Sequence, residues 1–250
     1  MTRSHLPDFA ALRAAGELDF CQVDVAGLLR LSLQPGTEPW WGATGRYRFD
    51  DPARVFGVTY AADTLAVAIC ETILHTVGDH RAGQWWLDRS AVARRAIVHY
   101  VHPTRTHLRH VDLSGIALKR LGLDNDVSAT DDYAPTQGLS GAIHAQVPEA
   151  DGIRYVSKQL NTQLAVALFE RSGVRAAQGG ATPCWIIGHC GPAGTPAGAV
   201  VYAVAARCRP GAWVASCASA AIGTMAVRAS RRLCILESFI YCLPGFKEKG

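Results

Sequence analysis

The stretch GRYRFDDPARVFGVTYAADTLAVAICETILH, from Gly45 to His75, places three arginines before one apolar run and a single glutamate inside the next. The run VFGVTYAA has the β-branched and aromatic residues that favour a buried strand. Asp63 follows it in the position of a helix N-cap, and the periodicity predicts a helix from Thr64 to about Thr76. The stretch therefore predicts a strand that leads directly into a helix.

The predicted helix carries one carboxylate, Glu71, among apolar side chains. One stripe of the helix is expected to be buried: Leu65, Ile69, Thr72 and Ile73. Glu71 lies off that stripe, on a second face made mainly of small residues. Either it is an exposed glutamate that pairs with His75 or Arg81, or it faces a ligand, because burying a carboxylate without a partner is unfavourable.

The composition is typical of a globular protein: 250 residues, 49% hydrophobic, with a formal net charge of +4. This length can bury a full core in one large domain, or in one domain with an extension. The basic residues are scattered, which argues against direct binding of nucleic acid. The N-terminal segment has no apolar stretch behind its basic residues, so we expect a cytoplasmic protein without a secretory signal.

Other patterns that would indicate a metal or a different chemistry are weak. The eight cysteines are expected to be thiols, and none forms a Cys-x-x-Cys pair typical of structural zinc. HPTRTHLRH, from His102 to His110, has spacings that rarely bring several rings to one ion. GATGRYR lacks the ending of a P-loop, and GLSGA is only half of a hydrolase nucleophile elbow. No metal site is expected.

The composition changes near Gln178. Residues 179–250 contain seven lysines and arginines, two glutamates and six of the eight cysteines. No Asp, Glu, Lys or Arg occurs from Ala176 to Ala206, but prolines interrupt this stretch, so no membrane-spanning helix is expected. We therefore predict one folded domain over residues 1–178 and an atypical Cys/Ala/Gly-rich extension of unknown role over residues 179–250.

Apolar runs elsewhere predict further strands and helices. The predicted strands are Phe20–Val25, Leu28–Leu33, Arg95–Val101, Leu108–Leu113, Gly152–Ser157 and Leu164–Glu170. The predicted helices are Phe9–Ala15, a short one that ends near Leu121, and one between Pro135 and Gln146. Strands and helices do not alternate strictly, so the sequence predicts an α+β fold, a compact mixed sheet with flanking helices, rather than a doubly wound parallel sheet.

Five short segments between Ala26 and Ser172 carry the polar residues of a candidate site. They are LLRLS with Arg30, GRYRFDD with Arg48, FGVTYAAD with Tyr60, AICET with Glu71, and DGIRYVSKQ with Ser157. Taken in this order, they resemble the RES family, the toxin halves of bacterial toxin-antitoxin pairs. The resemblance implies a fold similar to the ADP-ribosyltransferase toxins and a domain, residues 1–178 here, that consumes NAD+. Lys158 stands where an arginine is common in such proteins.

The chemistry of these residue types agrees with the resemblance. Cleaving the bond between nicotinamide and ribose builds an oxocarbenium-like cation, which a fixed carboxylate at Glu71 would stabilise. Guanidinium groups at Arg30 and Arg48 would bind the pyrophosphate or an anionic nucleophile. Tyr60 can stack on nicotinamide, and Ser157 can hydrogen-bond the amide or the ribose. Taken singly, a tyrosine with its hydroxyl at the surface, a solvent-facing arginine or a serine that ends a strand needs no such function.

The resemblance leaves the acceptor of ADP-ribose open. Some members look like NAD+ phosphorylases that release nicotinamide and ADP-ribose 1″-phosphate, with inorganic phosphate as co-substrate, and this is the reaction we expect. NAD+ hydrolysis, ADP-ribosylation of a protein, and a catalytically silent interaction module are the alternatives. NAD+ is then a substrate, and no cofactor is expected. The implied partner is a small Xre-like antitoxin that covers the active site, so contact with DNA would belong to that partner.

Overall fold

A computed structural model of the chain describes residues 6–74, 79–81, 84–87, 94–183, 185–189, 201–205 and 246–248, with side chains described over residues 6–73 and 94–178. The strands are β1 Phe20–Asp24, β2 Leu29–Ser32, β3 Val58–Ala62, β4 Asp79–Arg81, β5 Gln84–Leu87, β6 Ala96–Val101, β7 His107–Leu113, β8 Gly152–Val156, β9 Leu164–Phe169, β10 Arg175–Pro183, β11 Trp185–His189, β12 Val201–Ala205 and β13 Phe246–Glu248. The α-helices are α1 Phe9–Ala15, α2 Leu65–Ile69, α3 Gly115–Arg120, α4 Asp126–Ala129 and α5 Ala134–Gln146. A π-helical segment, Cys70–Leu74, continues α2.

Eight of these strands form one mixed sheet in the order β1-β7-β8-β9-β3-β2-β6-β10. Strands β7 and β8 are parallel, and α3, α4 and α5 lie in the connection between them. The other pairs in this sheet are antiparallel. The predicted α+β fold is confirmed, because the sheet is mixed and mainly antiparallel, with flanking helices, rather than a doubly wound parallel sheet.

Alternating side chains of the sheet fill two separate hydrophobic clusters. In β9, Ala165, Ala167 and Phe169 belong to the larger cluster, which also contains residues of α1, α2 and α5. Val166 and Leu168, the residues in between, belong to the smaller cluster on the opposite face. A strand buried on both faces loses the apolar-polar alternation, which explains why β9 has the continuous apolar sequence LAVALF.

The predicted helix after β3 differs from the structure in three respects. Its N-cap is Thr64 and not Asp63, because the Thr64 hydroxyl accepts the backbone N–H of Val67. The expected buried stripe is confirmed in part: Ile73 is buried and Leu65 and Ile69 pack partly buried against the core. The residues fully buried in α2 are instead Ala66, Val67 and Ala68. Small side chains on this face allow α2 to pack closely on β2 and β3. The expected stretch beyond Leu74 lies outside the described residues.

The predicted boundary at Gln178 falls inside β10, which runs from Arg175 to Pro183 and pairs with β6 at one edge of the sheet. The extent of the first domain and the role of residues 179–250 stay predictions. Within the described part of the chain, no helix is long and apolar enough to cross a membrane.

Candidate active site

A cleft of about 680 Å³ opens where β2, β3 and α2 meet the loop before β3. Four of the five predicted site residues line it: Arg30, Arg48, Tyr60 and Glu71. The volume lies within the range of roughly 300–1,000 Å³ that is usual for small-molecule sites. The fold therefore brings together residues that are up to 41 positions apart in the sequence.

Glu71 lies in the π-helical segment that continues α2, and its carboxylate is fixed from one side. Oε1 accepts hydrogen bonds from the hydroxyl of Ser157 and from the backbone N–H of Gln159, the latter at 3.2 Å. Among the described residues, both contacts fall on Oε1, and Glu71 is one of the residues that line the cleft. A π-helical turn is a rare local geometry that occurs frequently at functional sites.

Ser157 reaches the site through Glu71 rather than as part of the cleft wall. The residue follows directly after β8 and is completely buried. Its hydroxyl donates to Glu71 and accepts the backbone N–H of Leu160 at 3.0 Å. Both functions of the hydroxyl are thus used within the protein, and the direct effect of Ser157 is to orient the carboxylate.

Arg30 lies on β2 with its guanidinium in an ion pair. Its Nε lies 3.2 Å from Oε1 of Glu38, and its Nη1 donates to the hydroxyl of Thr59 at 2.9 Å. The side chain of Glu38 is only 2% exposed and also accepts from the Tyr100 hydroxyl and from the backbone N–H of Trp40. Arg30 is therefore a compensated cation, with Nη2 as its remaining nitrogen.

Arg48 is the less compensated of the two arginines. Its Nη1 donates to the carbonyl of Val127 at 3.2 Å, and its guanidinium lies 4.8 Å from the ring centroid of Tyr133. Within the described part of the chain, no carboxylate forms an ion pair with it. A buried guanidinium that faces a cleft without an anionic partner is a favourable site for a bound anion.

Tyr60 presents its ring to the cleft and turns its hydroxyl into the protein. The hydroxyl donates to Oδ1 of Asp50 at 3.2 Å and accepts the backbone N–H of Phe49 at 2.9 Å. Burial, and then the Asp50 carboxylate, raise the pKa of the Tyr60 hydroxyl well above its usual value. The phenol thus stays protonated at neutral pH, and Tyr60 offers a ligand an aromatic face rather than a base.

Comparison with known families assigns these residues to one domain type. A family model described as the RES domain matches residues 28–186. The chain belongs to the RES domain family. The match begins one residue before β2 and extends past β10, so it contains all five predicted site residues and the cleft.

A solved chain with a similar fold comes from the M. tuberculosis MbcT-MbcA toxin-antitoxin complex. It is 14% identical to this chain, with a TM-score of 0.47, and the similarity covers 70% of this chain and 92% of that one. A comparison with curated protein sequences found no match.

Sequence reasoning missed several residues of this RES domain site. Glu38 and Asp50 contact Arg30 and Tyr60, respectively, from loops that have no periodic pattern. The backbone N–H of Gln159 has no side-chain signal at all. The cleft wall also contains Lys158, whose ammonium group pairs with Asp131. The expected pairing of Glu71 with His75 or Arg81 involves side chains outside the described residues.

The described side chains of the RES domain form no cluster of three or more His, Cys, Asp and Glu residues that could hold a metal ion. Cys21 and Cys70 are free thiols. Burial raises the pKa of each thiol to about 11, so neither is a thiolate nucleophile at neutral pH.

Proposed function

We propose that this RES domain degrades NAD+ by cleaving the bond between nicotinamide and ribose. The observation that carries the proposal is the Glu71 carboxylate, which is held through Oε1 by Ser157 and Gln159 in a residue that lines the cleft. A carboxylate fixed in this way cannot rotate to follow solvent, so it is preorganised to stabilise positive charge. Membership of the RES domain family supports the same chemistry.

The reaction builds positive charge on the ribose, which the fixed Glu71 carboxylate would stabilise. The C1″–N bond breaks, nicotinamide leaves with the bonding electron pair as a neutral molecule, and the ribose becomes an oxocarbenium-like cation. Glu71 Oε2 would lie against this cation or accept a hydrogen bond from a ribose hydroxyl. Tyr60 would contribute its ring face to nicotinamide, and its protonated hydroxyl would stay on Asp50.

Arg48 would bind the anionic part of the substrate more strongly than Arg30. Arg48 has no carboxylate partner in the described part of the chain and would bind the pyrophosphate or a phosphate nucleophile. Arg30 is paired with Glu38 and would contribute only through Nη2.

Inorganic phosphate is the nucleophile that we propose, which gives ADP-ribose 1″-phosphate. One phosphate oxygen bonds to C1″ as nicotinamide departs, and no proton needs to move if the phosphate is the dianion. Water would need a base to take its proton and would need no cation beside the ribose. NAD+ hydrolysis and transfer to a protein acceptor use the same site and differ in their products.

We further propose a cytoplasmic protein whose partner is a small Xre-like antitoxin. The mouth of the cleft carries three exposed apolar side chains: Leu33, Trp40 and Tyr47, which are 56%, 41% and 48% exposed. Apolar side chains gathered around a cleft are a suitable surface for a protein that covers it. Such a partner would keep NAD+ out while it is bound.

Expression of the chain without a partner tests the proposal in cells. Wild type is expected to lower cellular NAD+ and stop growth, and Glu71→Gln is expected to relieve both, because the amide keeps the shape but loses the charge. Glu17→Gln, at an exposed glutamate outside the cleft, is the matched control and should stay toxic. Growth arrest by the Glu71→Gln variant as strong as that of wild type would contradict a catalytic role for the carboxylate.

A further inference from the structure

The carboxylate of Asp50 accepts several hydrogen bonds from the loop that carries Arg48. Asp50 is completely buried. Its Oδ2 accepts from the hydroxyl of Thr44 at 3.0 Å, from the backbone N–H of Arg46 at 3.1 Å and from the backbone N–H of Tyr47 at 3.2 Å. Its Oδ1 accepts from the Tyr60 hydroxyl on β3. One side chain thus joins the loop to the strand that forms the cleft wall.

Helix α5 contacts the same loop from the other side. The Gln137 side-chain amide donates to the carbonyls of Gly45 and Tyr47, at 2.9 and 3.0 Å. The Ser140 hydroxyl donates to the carbonyl of Phe49 at 2.7 Å. Asp50 thus binds backbone N–H groups of the loop, and α5 binds backbone carbonyls of the same loop. These contacts restrain the loop backbone from two sides.

The geometry points to Asp50 as a positioning residue for the cleft, an inference that rests on the proposed function. Among the described residues, the guanidinium of Arg48 has one hydrogen bond and one ring contact, so its location depends mainly on the loop backbone. Tyr47, beside it, is half exposed, with its ring centroid 6.0 Å from that of Tyr60. By fixing the backbone, Asp50 places a cation and an aromatic ring at the same wall.

The requirement is for a carboxylate at this position and not for any polar side chain. An asparagine has only one acceptor oxygen. Its NH₂ group would replace the other carboxylate oxygen and would face hydrogen-bond donors there. In Asp50→Asn, one set of donors, either the loop amides or the Tyr60 hydroxyl, is left unsatisfied. The loop is then expected to move away from the position that presents Arg48.

The next residue in the chain provides a matched control. Asp51 is also buried, at 4% exposure, and its carboxylate accepts the backbone N–H groups of Ala53, Val55 and Phe56. The turn that it stabilises contributes no residue to the cleft wall. Asp51→Asn should therefore perturb folding in a similar way without changing the site.

Nicotinamide release from NAD+ by wild type, Asp50→Asn and Asp51→Asn tests the inference. We expect kcat/KM to fall about 10- to 100-fold in Asp50→Asn, as for the loss of a well-placed charged contact, with a higher KM for both NAD+ and phosphate. Asp51→Asn should stay within about threefold of wild type, in the range of an uncoupled substitution. Equal values of kcat/KM in the two variants would overturn the positioning role.

A second measurement does not depend on turnover and uses inorganic pyrophosphate as the probe. Pyrophosphate should raise the melting temperature of wild type and Asp51→Asn, but not that of Asp50→Asn, because only the last presents Arg48 incorrectly. Thr44→Val, which removes a single donor to Asp50, should give an intermediate shift even if Asp50→Asn does not fold. A pyrophosphate shift that is present in wild type and Asp51→Asn and lost in Asp50→Asn, without nicotinamide release by wild type, would reject the proposed reaction and support the positioning role. Equal shifts in the variants, or none in wild type, would overturn it.

Discussion

Replacing Ser157 with alanine removes the hydroxyl that orients the Glu71 carboxylate. Ser157 donates to Glu71 Oε1, and after its removal the carboxylate keeps one described donor, the backbone N–H of Gln159. A hydrogen bond to a charged group contributes about 1.5–3 kcal/mol. Since 1.36 kcal/mol corresponds to a factor of ten, we expect kcat to fall about 10- to 150-fold.

The effect should appear in kcat more than in KM, because in the proposed reaction the Glu71 carboxylate opposes a charge that develops in the transition state. The assay is nicotinamide release at a series of NAD+ concentrations with phosphate held constant. The backbone N–H of Leu160 also loses its acceptor, so a lower melting temperature is expected and circular dichroism should confirm that the variant is folded.

Ser172→Ala is the matched control for this experiment. Ser172 is also completely buried, its hydroxyl has no hydrogen-bond partner within the described residues, and it lies outside the cleft. Its substitution should leave both kcat and KM near the wild-type values. A folded Ser157→Ala protein with wild-type kcat would refute the inference that this serine acts through Glu71.

Three further predictions concern the anion site, the core and the C-terminal region. Arg48→Lys keeps the charge but loses the planar guanidinium, so kcat/KM for nicotinamide release should fall about 10- to 100-fold; an unchanged value would show that Arg48 does not bind the substrate. Burial lowers the pKa of His110 to about 4. As the pH falls from 6.5 towards 4, the His110 imidazole therefore binds a proton in the unfolded state but not in the folded state. The unfolding free energy should fall by about 3 kcal/mol across that pH range because of His110. His110→Leu should flatten the pH dependence of the unfolding free energy measured by urea unfolding. A pH dependence as steep as that of wild type would refute this prediction. A chain that ends at Pro183 keeps β10 and every predicted site residue, and should release nicotinamide at the full-length rate; a soluble, folded but inactive truncation would show that later residues complete the site.

The order of the strands and helices could be predicted because burial leaves a local pattern in the sequence. The strand predicted at Gly152–Ser157 is β8, Gly152–Val156, and the helix predicted between Pro135 and Gln146 is α5. The order of strands in the sheet could not be predicted, because pairing such as that of β3 with β9 joins segments more than 100 residues apart. The buried face of α2 was predicted only in part, because close packing on the sheet buries Ala66, Val67 and Ala68 more completely than the larger Leu65 and Ile69.

The candidate site could also be predicted from the sequence only in part. Side chains such as Glu71 could be proposed from their residue type and from the resemblance to the RES family. The contacts that fix them could not, because Glu38, Asp50 and the backbone of Gln159 reach the site only through the tertiary fold. Sequence reasoning assigned anion binding to both Arg30 and Arg48, and of these two only Arg30 has a carboxylate partner among the described residues.

Identification of the products formed from NAD+ by the purified chain tests the proposed function most directly. Wild type and Glu71→Gln would be incubated with NAD+ over a series of phosphate concentrations, and nicotinamide, ADP-ribose and ADP-ribose 1″-phosphate would be separated by chromatography. We expect wild type to release nicotinamide at a rate that rises with phosphate, with ADP-ribose 1″-phosphate as the second product, and Glu71→Gln to be about 100-fold slower or worse. Free ADP-ribose formed at a rate independent of phosphate would replace phosphorolysis with hydrolysis, and no nicotinamide release by wild type under any condition would contradict the proposed function itself.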